Sequence, residues 1–220
     1  MSARTLADEQ WLPASFDDVV KCVLDSEGDR FDKYFELSEA DRELIAHIVS
    51  SPVADGDLGP TLRRSLLSLI RFGLFHHVPP TTKWSSVPLR SSYLDEIRVI
   101  ARCGWDDPAD RNELRRVARR YPRITLREPP ELWKPVVLWG HSEDGPFVIL
   151  EGNHRLVAYA ANEDMADFCI QSFIGLSPDI CNWHPLNPRH LGYPRHPLIL
   201  RQDVNLYLSS AFELHSHMGF

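Results

Sequence analysis

The stretch that most constrains this chain is Phe147 to Ala161, Phe-Val-Ile-Leu-Glu-Gly-Asn-His-Arg-Leu-Val-Ala-Tyr-Ala-Ala. An apolar run suited to a strand enters a glycine turn, and an alanine-rich helix follows. A strand that hands directly to a helix requires a sheet with that helix laid against it. The helix start has a chemical consequence as well. Its first backbone N–H groups have no partner within the helix and carry partial positive charge. His154 and Arg155 add side-chain donors there, so the turn suits a phosphate or another oxyanion.

Each residue of the pentad Glu151–Arg155 has a reading of its own. Gly152 lets a backbone approach an anion closely and adopts φ values closed to other residues. Asn153 can cap the helix through its side-chain oxygen, or donate its amide to a ligand. His154 and Arg155 can both donate to phosphate oxygens, Arg155 with its planar fork. Glu151 repels a polyphosphate unless it holds Mg²⁺, accepts a substrate proton or pairs with Arg155. The plain structural alternative is a Glu151–Arg155 ion pair beside an Asn153 cap.

The first third reads as helical. Phe16, Val19, Val20, Val23 and Leu24 recur at helical spacing. Ser38 to Asp41 has the form of a capping box before Leu44, Ile45, Ile48 and Val49. Asp55 to Pro60 reads as a loop, with Pro60 opening a third helix whose apolar side is Leu62, Leu66, Leu69, Ile70 and Leu74. A second region opens at Trp84, with a strand at Val87–Leu89 and a helix over Leu94, Ile97, Val99 and Ile100. A helix over Asn112–Tyr121 follows, then a hairpin of Val136–Trp139 and Phe147–Leu150 about a turn at Ser142–Pro146. Phe168–Ile174 reads as a last strand. From Leu176 prolines punctuate the pattern, and Trp183, Tyr193 and Leu198–Leu200 call for a tail wrapped on the core. The expected architecture is α+β: a helical subdomain (1–80), a small mixed sheet with flanking helices (84–175) and a proline-rich wrapping tail (176–220).

Apolar residues make up 43% of the chain, enough for a packed core. No apolar run reaches the length of a bilayer span, and Met1–Gln10 is too polar for a secretory signal. A cytoplasmic protein without membrane contact is expected. Its cysteines (Cys22, Cys103, Cys169, Cys181) form no Cys-x-x-Cys pair and read as free thiols. The formal net charge of −7 disfavours non-specific duplex binding unless positive charge is gathered in one place. It is gathered in Arg111, Arg115, Arg116, Arg119, Arg120, Arg123 and Arg127. Arg115 and Arg119 share one helix face, and Arg116, Arg120 and Arg123 another, so the segment is a candidate nucleic-acid grip or else a solvated charged face. His184, His190, His196, His215 and His217 lack a metal-ligand spacing. Trp133, Trp139 and Tyr159 read as core.

The order Trp84–Leu89, Pro135–Trp139, Phe147–Tyr159 resembles the ParB/sulfiredoxin superfamily over residues 84–175. Trp133-Lys134-Pro135-Val136-Val137-Leu138 is similar to that family's strand of a proline and an apolar run. Ile149 to Leu156 is similar to its hairpin strand ending in Gly-x-His-Arg before a helix. Asn153 stands where sulfiredoxins carry their catalytic cysteine, which argues against sulfinic-acid repair. The tail beyond Ile174 does not supply the helix-turn-helix of the chromosome-partitioning clamps. Compared with the free-serine-kinase branch, Glu151 replaces the commoner Asp and Asn153 one of the two His of Asp-Gly-His-His-Arg.

The resemblance implies a nucleotide-binding phosphotransferase or NTPase using ATP or a relative with Mg²⁺. Gly152, Asn153, His154 and Arg155 would hold phosphates, and Glu151 would orient the metal or the acceptor. In the kinase-like branch a carboxylate from early in the domain is the general base, which points to Asp95 or Glu96. The other branches imply a nuclease or plasmid fertility-inhibition protein acting on DNA, or a noncatalytic interaction module on the same fold. The implied partners are a nucleotide and a small-molecule acceptor.

Overall fold

The computed structural model describes residues 5–28, 31–32, 35–51, 58–75, 78, 81–99, 114–120, 134–161 and 169–178. The expected wrapping tail lies almost wholly outside the described residues, as do Trp133, Cys103 and Cys181, the C-terminal histidines, and Arg111, Arg123 and Arg127. The described chain is mixed α and β and divides into two compact units, a sheet unit of residues 5–15 and 78–178 and a helical unit of residues 16–75. The short N-terminal strand therefore belongs with the sheet and not with the helices. Among the described residues no helix is long and apolar enough to cross a membrane.

In the sheet unit the strands are β1 (Leu12–Ala14), β2 (Lys83–Arg90), β3 (Ile97–Arg98), β4 (Val136–Gly140), β5 (Phe147–Glu151) and β6 (Cys169–Leu176). They form one mixed sheet in the order β1-β2-β6-β4-β5-β3. The β4–β6 and β3–β5 pairs are parallel and the others antiparallel. Every residue of β4 and β5 is buried, as expected of central strands covered on both faces. The hairpin between them turns at Gly145, whose φ of +70° only glycine adopts readily and whose N–H donates to the Ser142 carbonyl at 3.2 Å. Pro88 interrupts β2 where β1, paired only with Trp84–Ser86, no longer reaches. A residue without an N–H is tolerated on such an edge.

Two elements differ from expectation. Leu12–Ala14 is a strand with no signal of its own, being three residues long and containing Pro13. Ser91–Glu96 is a 3-10 turn, and Ile97–Arg98 pairs in parallel with β5. Leu94 and Ile97 are three residues apart, a spacing that a 3-10 turn satisfies as well as an α-helix. The pairing partner, Phe147–Val148, lies some fifty residues on, so the outcome is tertiary rather than local.

The helical unit contains α1 (Phe16–Glu27), α2 (Glu39–Ser50) and α3 (Leu58–Phe75). Ser38 caps α2: the Asp41 N–H donates to Ser38 Oγ at 3.2 Å, and the Ser38 N–H donates back to Asp41 Oδ2 at 2.9 Å. Pro60 sits in the first turn of α3, where no intrahelical N–H is needed. Val19, Val20, Val23, Leu24, Ile45, Ile48, Leu62, Leu66 and Ile70 supply the core.

That core also holds a wholly buried arginine. Arg63 on α3 grips Asp17 on α1 with both arms, Nε to Oδ1 at 2.8 Å and Nη2 to Oδ2 at 2.6 Å. Its remaining nitrogen donates to the carbonyls of Ile48 at 3.1 Å and Ser51 at 3.2 Å, at the end of α2. One guanidinium thus ties all three helices through satisfied, charge-assisted bonds. Helical periodicity does not reveal this, because Arg63 reads as a polar interruption between Leu62 and Leu66.

Candidate functional site

The helix after β5 is α5 (Asn153–Ala161), and α4 (Leu114–Arg120) packs against it. The α5 residues Leu156 to Ala160 are buried, including Tyr159, and Trp139 of β4 is wholly buried; both aromatics are core. Gly152 is the pivot. Its φ is +98°, and a Cβ placed there would lie 2.5 Å from Val136 Cγ1. The glycine is therefore required by the turn and by packing against the neighbouring strand, whatever binds above it.

The Leu156 N–H donates to the Gly152 carbonyl at 3.0 Å and closes the first helical bond. Gly152 therefore occupies the cap position, and Asn153 is already the first helical residue. The expectation that Asn153 caps the helix is corrected: its Oδ1 is buried with no hydrogen-bond partner among the described residues. From one position further on, a side chain does not have the reach of a cap.

His154 and Arg155 have different fates. His154 is exposed on the first turn of α5 and makes no hydrogen bond or ion pair among the described residues. Arg155 is turned to structural use. Nη1 donates to the carbonyl of Lys134 and, at 3.3 Å, to that of Pro135, while Nη2 lies 3.4 Å from Glu151 Oε1. The guanidinium pins the segment entering β4 to the segment leaving β5. Its side chain keeps about a fifth of its surface in solvent.

Glu151 is nearly buried at the end of β5 and faces the Arg155 guanidinium. Of the roles open to it, pairing with Arg155 is the one the geometry realises. A sheltered carboxylate beside a fixed positive charge does not fit Mg²⁺, which takes exposed carboxylates together with waters and phosphates. Among the described residues no group of three or more His, Cys, Asp or Glu side chains converges as metal ligands would.

Asp95 and Glu96 are not brought to the pentad. They precede β3, whose Ile97 lies level with Phe147 at the start of β5, whereas Glu151 and Gly152 stand at its far end. At roughly 3.3 Å per residue, about 16 Å of sheet separates the two sets. Asp95 pairs with Arg115 of α4, Oδ1 to Nε at 2.6 Å. Glu96 Oε1 accepts the Leu6 N–H at 3.2 Å. Burial raises the Glu96 carboxyl above its ordinary value against that hydrogen bond, and Asp8 and Asp95 push it the same way as burial.

The arginine segment is only partly described. Arg115 is committed to Asp95, Arg116 and Arg119 are exposed, and Arg120 closes α4. Nearby, Arg90 Nε and the Tyr93 hydroxyl both donate to Glu9 Oε1, at 2.9 and 2.6 Å. The bond to Glu9 and its charge hold the Arg90 guanidinium above its usual range. No local sequence signal marks this tie between the N-terminal segment and β2, since its members lie over eighty residues apart. Cys22 and Cys169 are free of disulfides. Comparison with protein-family models, with curated proteins and with solved structures finds no match.

Proposed function

We propose that the sheet unit is a phosphate-binding module of ParB/sulfiredoxin type that takes the phosphate chain of a nucleotide, ATP or a relative, at the N-terminus of α5. The observation that carries this reading is His154: an exposed imidazole on the first turn of a helix whose opening N–H groups lack intrahelical partners. Arg155 adds positive potential from its partly exposed fork while it braces the turn. The module acts by binding. Asp95 and Glu96, the bases that a phosphotransferase of the resembled kind would use, lie at the other end of β5. Glu151 faces a guanidinium. Phosphoryl transfer or hydrolysis would need its base and its metal ligands from elsewhere.

A thermal-shift screen of ATP, ADP, CTP and inorganic phosphate, each with and without Mg²⁺, tests this. A ligand held only by the folded state raises the melting temperature, by an amount set by its concentration over its Kd. At least one nucleotide is expected to do so without Mg²⁺, and His154→Ala to remove the effect. A flat response across the set would defeat the proposal.

A further inference from the structure

The helical unit holds a cleft that none of this chemistry uses. It lies between α1 and α2 and is completed by Gly28, Phe31, Asp32 and Leu37; its volume is about 620 Å³, within the usual span of small-ligand sites. Leu24, Phe31, Leu37 and Ile45 form an apolar floor, and Ala46 and Val49 of α2 form one wall. The rim is charged. Arg42 Nε donates to Asp32 Oδ1 at 2.7 Å, so these two charges offset one another. Asp25, also on the rim, is engaged with another group. Lys21 differs from all three. It is half-buried on α1, lines the cleft, and has no hydrogen-bond or ion-pair partner among the described residues.

An unpaired ammonium at the mouth of an apolar hollow favours a ligand with the complementary pair of properties. The ligand carries one negative charge and an apolar body long enough to cover the floor. We propose that the cleft binds a monomeric medium-chain carboxylate, with its head on Lys21 and its chain over Leu24, Phe31, Leu37 and Ile45. A single cation matches a single carboxylate charge, and with Arg42 neutralised by Asp32 no second free cation lines the cleft among the described residues to call for a doubly charged head.

Isothermal titration of the full chain with decanoate below its micelle concentration tests the proposal, with decanol as the uncharged control. Saturable decanoate binding is expected. Lys21→Gln should weaken decanoate at least tenfold and leave decanol unchanged. Ala46→Trp, at an exposed helical position, should fill the cleft and abolish both. His154→Ala should leave decanoate binding unchanged, which separates this site from the one at α5. No saturable binding to the unaltered chain would overturn the proposal. So would equal decanoate affinity in Lys21→Gln, undiminished binding in Ala46→Trp, or association with anionic vesicles but not with free decanoate.

Discussion

At the scale of single residues, the pentad is explained mainly by what it does for the fold. Gly152 is held by its φ of +98° and by the contact its missing Cβ would make with Val136. Gly152→Ala should therefore destabilise the protein by more than about 2 kcal/mol in chemical denaturation. Combined with Val136→Ala, the two losses should sum to less than additive, because the Cγ1 clash is relieved while the φ strain and the cavity left by the buried valine remain. Arg155→Ala removes donors from two backbone carbonyls and a partner of a nearly buried carboxylate. A loss of about 1–3 kcal/mol is expected, so an affinity change in that variant would not isolate a ligand contact. His154 carries no such structural duty among the described residues and is the cleaner probe. Glu96 makes a separate prediction about pH. Its carboxyl is raised in the folded state, so between the unfolded and folded values the native protein holds the extra proton and stability falls as pH rises. Glu96→Gln stays neutral throughout and keeps an oxygen for the Leu6 N–H. Its stability relative to the unaltered protein should improve as pH is raised from 4 towards 7, by denaturation midpoints at each pH.

At the scale of elements, what could be read in the sequence depended on how local its cause was. The helices at Phe16–Glu27, Glu39–Ser50 and Leu58–Phe75 follow from apolar spacing, the Ser38 box and Pro60, all signals carried within a few residues. The hairpin of Val136–Gly140 and Phe147–Glu151 likewise follows from its apolar runs and its Asp144-Gly145 turn. The strands Leu12–Ala14 and Ile97–Arg98 escape such reading because each is defined by its partner. Arg63 escapes it for a related reason: nothing near Leu62 or Leu66 says that Asp17 waits opposite. Arg63→Met would strand Asp17 as a buried charge and should cost about 3–5 kcal/mol. Asp17→Leu combined with Arg63→Met should recover part of this, since an apolar pair replaces the ions while the carbonyls of Ile48 and Ser51 still lose their donors. Urea denaturation of the two variants checks both statements.

At the scale of the whole molecule, the sheet order decides how the candidate groups can cooperate. Glu151, Gly152, Asn153, His154 and Arg155 are contiguous in sequence and stay together in space, so that cluster was visible from the start. Asp95 and Glu96 could be linked to it only through the resemblance, and the parallel register of β3 on β5 sends them to the opposite end of the strand. The site that remains is a helix start with one exposed imidazole and one braced guanidinium, suited to holding an anion. The most direct test follows the backbone amide resonances of Asn153, His154 and Arg155 while ATP is titrated into the isotopically labelled chain. These three are expected to shift together and saturably, and His154→Ala to suppress the change. Resonances that stay in place there, or that move only among the arginines of α4, would contradict it.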